Sequence, residues 1–180
     1  MSISISIKQQ AYTDKDKKKI IALKEIDTFI KPKEFVCILG PSGCGKTTLM
    51  NIIGGLVKAK EQIILIDDKP INNENSIAYV FQTSRLMPWL TIYNNVKLVC
   101  KNNSHDFKTK ISKILKNFEL FDFKDSFPST ISGGMRRKVS LARAFVNDPE
   151  VLLMDEPFVS LDQPTTENLY KVLIDYWKKK

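Results

Sequence analysis

Short apolar runs alternate with stretches of helical periodicity along this chain, the pattern that builds a parallel sheet covered by helices. Runs at 3–7, 35–39, 63–66, 77–81 and 151–154 predict strands. The first alternates Ile with Ser, which marks a strand with one buried face. Leu49, Ile52, Ile53 and Leu56 follow the i, i+3, i+4, i+7 spacing of a helix face. Comparable stripes run through Phe107, Ile111, Ile114 and Phe118, through Met135, Val139, Ala142 and Val146, and through Leu169, Val172, Leu173, Tyr176 and Trp177. Pro164 suits the first turn of the last of these helices. Residues 83–130 lack glycine, are rich in Asn, Lys and Phe, and read as a helical insertion in an otherwise α/β domain.

Composition narrows the class. A chain of 180 residues with 43% hydrophobic positions can bury a core, which excludes a disordered tail. Its apolar runs fall far short of the roughly 18 residues that cross a bilayer. The Ser/Ile alternation at the start differs from the continuous apolar stretch of a secretory signal. Lys and Arg number 28 against 20 acids, a formal charge of +8. Much of that excess sits at Lys15, Lys17, Lys18 and Lys19 and at 178–180, where a solvated loop and a frayed end account for it. Few aromatics are interleaved with the basic residues, so no nucleic-acid partner is expected. Cys37, Cys44 and Cys100 have spacings that suit neither a zinc site nor a disulfide framework, which points to a reducing compartment.

Directly after the run at 35–39 come Gly40, Pro41, Ser42, Gly43, Cys44, Gly45, Lys46, Thr47 and Thr48, a match to G-x-x-x-x-G-K-[ST] that opens onto a predicted helix. Chance produces this pattern in such a chain on the order of one time in a hundred. Glycines let the backbone curl so that its N–H groups converge on phosphates, and the helix N-terminus adds partial positive charge. Lys46 is placed to reach the β- and γ-phosphates of ATP, and the Thr47 hydroxyl to ligate Mg²⁺. Cys44 lies in this loop near a helix N-terminus, a setting that activates thiols, so its alkylation is expected to block nucleotide binding and ATP to protect it.

A second acidic site follows. The apolar run at 151–154 reads as a buried parallel strand and ends in Asp155 and Glu156. Ligands of open α/β sheets bind at the carboxyl ends of strands, so Asp155 is placed for the Mg²⁺ shell and Glu156 to deprotonate an attacking water.

Ile131, Ser132, Gly133, Gly134 and Met135 open the helix that runs through Arg143. Locally this is a capping serine followed by pliant backbone. The pentapeptide, lying upstream of the Asp-Glu strand, resembles the signature of ATP-binding cassette (ABC) ATPases, and the resemblance extends from about Tyr12 to the last residue. It implies a phosphate-loop NTPase fold with a RecA-like parallel sheet, an N-terminal antiparallel β part and a helical subdomain. Residues 1–82 and 131–180 would form the nucleotide-binding core of one domain, and 83–130 the helical subdomain.

The resemblance also implies roles. Gln82 takes the place of the Q-loop glutamine, a hinge contacting Mg²⁺ or water; Ser160, Leu161 and Asp162 match the D-loop; Tyr12 falls where an aromatic stacks on adenine. Ser132, Gly133 and Gly134 of one subunit would meet the ATP held by a second copy, giving a head-to-tail homodimer. The expected partners are permease membrane subunits and, indirectly, a periplasmic or lipid-anchored solute-binding protein, with the ATPase peripheral on the cytoplasmic side of the membrane. Leu86, Met87, Pro88, Trp89, Leu90 and Thr91, with Asn95, Val96 and the Gly-Gly-Met of the signature, look like the ATPases of nitrate, sulfonate and taurine importers. Leu86, Met87 and Trp89 would either receive a permease helix or pack beneath the insertion.

Three positions depart from the family. Arg137 and Lys138 stand where Gln and Arg are more usual, and Lys for Arg loses a bidentate fork. Lys33 replaces a turn glycine. The family's switch histidine would fall beyond Lys180, while His105 matches no motif. The resemblance therefore leads us to expect that the last strand or strands are missing, leaving unpaired amides at about 1–3 kcal/mol each against a net stability of about 5–15. An aggregation-prone product with negligible turnover is the corresponding expectation. Other readings are a nucleotide-binding remnant without turnover and a non-transport ABC ATPase.

Overall fold

The structure is a computed structural model that describes residues 1–13, 15–70, 77–100, 106–159 and 161–178. His105 and Ser160 lie outside the described residues. The chain forms two compact units, Met1–Asn75 and Ser76–Lys180.

The first unit is an antiparallel sheet with one helix. β1 (Ile3–Thr13) runs between β2 (Lys19–Ile30) and β3 (Gln62–Ile66), and β4 (Lys69–Pro70) closes the order β2-β1-β3-β4. The Ser/Ile alternation works as expected. Ile3, Ile5 and Ile7 turn to one face and are buried together with Leu23, Ile64 and Ile66, and Ile5 pairs with Thr28 on one side and Ile64 on the other. α1 (Lys46–Ile53) buries Met50, Ile52 and Ile53.

Two features of this unit differ from the sequence reading. β2 is a full strand that the pattern did not reveal, because Glu25 sits in a left-handed conformation (φ 52°) and breaks the alternation on either side of it. Residues 35–39, expected as a strand, form no ladder among the described residues. Phe35 is 66% and Leu39 85% exposed. Apolar β-branched content favours extended backbone, but a strand exists only through its hydrogen-bonded neighbours.

The second unit pairs two parallel strands and packs helices against them. β5 (Ile77–Val80) runs beside β6 (Val151–Met154), with Ile77 opposite Val151 and Val80 opposite Met154. α2 (Ile92–Lys97), α3 (Phe107–Asn117), α4 (Gly133–Phe145) and α5 (Gln163–Lys178) supply the rest. The predicted stripes face inward at Ile111, Phe118, Val139, Ala142, Leu169 and Leu173. Phe145 meets the Tyr176 ring edge-on at 4.4 Å, fixing α5 to α4.

One polar side chain is built into this core. Asn95 has 0% exposure. Its Oδ1 accepts from the Met87 amide at 2.8 Å, and its Nδ2 donates to the carbonyls of Met87, Leu90 and Thr91 at 3.0–3.1 Å. It thereby fixes the turn that presents Trp89, which is 70% exposed. Asn95→Ala leaves these groups without partners and is expected to destabilise the protein by about 2–4 kcal/mol, read as a lower denaturant midpoint.

Candidate functional site

The phosphate loop lies in the first unit. Gly43 and Gly45 have φ of 78° and 100°, the left-handed backbone that lets residues 40–46 double back. Gly45 is also the residue before α1, whose first turn has neither a side-chain cap nor an acid. Its N–H groups and partial positive charge are therefore not neutralised by side chains of the helix start. Lys46 Nζ donates to the carbonyls of Gly40 at 2.8 Å and Pro41 at 2.9 Å, and lies 3.9 Å from Cys44 Sγ. The cation thus sits over its own loop.

The two left-handed glycines differ in what surrounds them. A Cβ at Gly45 would stand 2.5 Å from the Ala22 carbonyl oxygen in β2 and 2.9 Å from Leu23 Cδ2, whereas one at Gly43 meets nothing within 4 Å among the described residues. Gly45→Ala is expected to cost about 2–4 kcal/mol in stability, since a backbone oxygen cannot step aside. Gly43→Ala should cost only the left-handed penalty of about 1–2 kcal/mol. Thermal unfolding of the two variants checks the contrast.

The second unit brings together the ends of its parallel strands. Gln82 Nε2 donates to Glu156 Oε2 at 2.7 Å, joining side chains 74 residues apart. Glu156 has φ 46°, a strained conformation for a residue with a Cβ. Asp155 is buried at the end of β6, and its amide donates to the Val80 carbonyl at 2.9 Å. Arg137 of α4 is buried behind both loops, and its guanidinium donates to carbonyls on each. Burial lowers its pKa, and the Asp155 charge opposes that shift. Tyr79 lies near Asp155, and burial foremost raises its hydroxyl pKa to about 12.

The signature residues start α4. Ser132 caps the helix by accepting from the Met135 amide at 3.1 Å. Gly133 and Gly134 have ordinary backbone, and a Cβ on either would meet its neighbours at van der Waals distance. Packing among the described residues therefore does not demand glycine at these positions. Asp162 accepts from the Thr165 amide at 3.1 Å, as a cap for α5, and hydrogen bonding to Thr165 holds its carboxyl below the usual range. Tyr12 lies on β1 opposite Ile20 and is 43% exposed.

The structure thus joins Gly40, Pro41, Cys44 and Lys46 in one cluster, and Gln82 with Glu156 in another. Ser42, Thr47 and Thr48 follow the loop and first turn of α1. The role of Arg137 was not legible as more than a departure. Its signal lay in spacing: Arg137, Leu141, Ala144 and Phe145 form an inward stripe of α4, and a charge on such a face needs partners. Lys138 has its own partner, an ion pair with Glu119 at 2.7 Å that lowers the Glu119 pKa.

A phosphate loop at a helix start, an Asp-Glu strand end and a capped Gly-Gly helix together define an ATP-binding cassette ATPase. Residues 23–159 match the family described as ABC transporter, and the chain belongs to it. It is 37% identical over 181 residues to the aliphatic sulfonates import ATP-binding protein SsuB of Bacillus subtilis (strain 168), spanning all of this chain and 71% of that protein. It is 40% identical over 165 residues to MJ0412 of Methanocaldococcus jannaschii, an uncharacterized ABC transporter ATP-binding protein, spanning 89% of this chain and 62% of that one. Among solved structures, the post-hydrolysis dimer of the ATP-binding cassette MJ0796 bound to ADP and Pi matches with a TM-score of 0.87 at 32% identity, over 98% of this chain and 83% of that chain. The phosphate-loop α/β fold and membership of an ATP-hydrolysing family follow. Among the described residues, no helix is long and apolar enough to cross a membrane.

Proposed function

We propose that this chain is the ATP-binding and hydrolysing subunit of an importer, peripheral on the cytoplasmic side of the membrane, and that it handles a sulfonate-like solute through a permease. The observation that supports hydrolysis is the Gln82–Glu156 hydrogen bond: a carboxylate and a carboxamide held side by side would deprotonate and orient one water. Gly40 to Thr48 would cradle the phosphates, with Lys46 leaving its loop carbonyls for the β- and γ-phosphate oxygens. Tyr12 would stack on the adenine.

In the first unit Thr47 offers a hydroxyl oxygen, and in the second Asp155 and Gln82 offer carboxylate and carboxamide oxygens; each is a hard donor of the kind Mg²⁺ takes alongside phosphate and water. When bound, Mg²⁺ would offset charge on the phosphate oxygens. Gly133 and Gly134, glycines that packing among the described residues does not require, support close approach of a second copy's ATP to α4. Asp162 would lie beside that contact, in a head-to-tail homodimer. Residues 83–130 would form the helical subdomain that passes the motion to permease subunits, with Trp89 on its exposed turn.

Import of a sulfonate rests on the likeness to SsuB over the whole chain. The test measures ATP affinity and ATP turnover separately in the purified chain. It then measures turnover with a sulfonate-importer permease, its solute-binding protein and an aliphatic sulfonate. Turnover that rises on adding the sulfonate supports the reading. Binding without turnover in either setting would favour a nucleotide-binding remnant.

A further inference from the structure

We propose that Arg137 is a positioning residue for ATP hydrolysis, holding Gln82 against Glu156 by gripping the main chain of both loops that carry them. The proposal rests on the reading of Gln82 and Glu156 given above.

A guanidinium has five N–H groups in a rigid fork and no acceptor. Here the N–H groups are matched by carbonyls. Nε donates to Pro157, Nη1 to Phe81 and, at 3.2 Å, to Gln82; Nη2 donates to Glu156 at 3.0 Å and to Asp155 at 3.5 Å. The residue is 4% exposed, so water does not compete for these bonds. One planar group therefore spans the loop leaving β5 and the loop leaving β6.

Lysine carries three donors on a tetrahedral point charge and does not reach carbonyls on both sides in one plane, and methionine, of similar length, carries no donor at all. The grip falls where the backbone most needs it. Glu156 is left-handed, and Arg137 holds its carbonyl together with those of the residues before and after it. Farther along α4, Arg143 donates to the carbonyls of Ser84 at 3.2 Å and Arg85 at 3.0 Å. The Gln82 loop is thus held at two points of one rigid helix. Lys138 is engaged with Glu119 and does not share the task.

The test compares the full chain with Arg137→Met and Arg137→Lys by heteronuclear magnetic resonance of the side-chain amides. The Gln82 signal is assigned by its loss in Gln82→Ala, and the buried Asn95 amide, held by separate bonds, reports that the unit is folded. In both variants the Gln82 signal should move to a solvent-exposed position and exchange faster, while the Asn95 signal stays. ATP turnover should fall about 10- to 100-fold with ATP affinity unchanged, the behaviour of a group that acts through its neighbours. An unmoved Gln82 signal beside an intact Asn95 signal overturns the proposal. Loss of both signals in both variants also overturns it, because Arg137 would then be a general requirement of folding. Absence of turnover in the unsubstituted chain would count against the catalytic reading of Gln82 and Glu156, and the spectral comparison would still decide whether Arg137 holds them together.

Discussion

Glu156→Gln is expected to lower ATP turnover by about 100- to 10,000-fold, the range for loss of a general base. Glutamine has the size of glutamate and can still accept the Gln82 amide hydrogen bond, so the loops should keep their path. What disappears is the ability to take a proton from water. Nucleotide affinity should hold, because the substitution leaves the loop at residues 40–48 as it is. Turnover and affinity measured on the same preparation check this, and a variant that hydrolyses ATP at the unsubstituted rate would remove Glu156 from the mechanism.

Lys46→Met should weaken ATP binding by roughly 10- to 100-fold, the equivalent of a hydrogen bond to a charged group at about 1.5–3 kcal/mol. Methionine keeps much of the stem length and removes the charge. In the structure Lys46 bridges Gly40 and Pro41 through exposed bonds that water can replace, so the loss should appear in affinity far more than in stability. Titration with a fluorescent ATP analogue, alongside thermal unfolding, separates the two. A fall in the unfolding temperature matching the fall in affinity would mean that Lys46 serves the loop's own shape.

Legibility varied with how local the cause of each feature was. β6 was readable to the residue because its four positions form a continuous apolar run bounded by charge on either side. The loop 40–48 and the cap at Ser132 were equally plain, since both are set by neighbours within a few positions. β2 was not, because left-handed Glu25 interrupts its period. α2 has six residues, less than two turns, too few to show a stripe. Residues 35–39 look like a strand in isolation and lack ladder partners among the described residues. The Arg137 fork was least legible, since it joins carbonyls up to 56 positions away and carbonyls carry no residue identity.

That last property has a consequence for how α4 constrains the chain. Arg136 donates to the carbonyls of Pro128 and Ile131, Arg137 to five others, and Arg143 to two more. All three arginines are indifferent to which side chains their acceptors bear. The loops at 81–85 and 155–157 can thus drift in composition without loosening the joint, whereas inserting or deleting one residue displaces every acceptor at once. Length, more than letter, is what these segments must preserve.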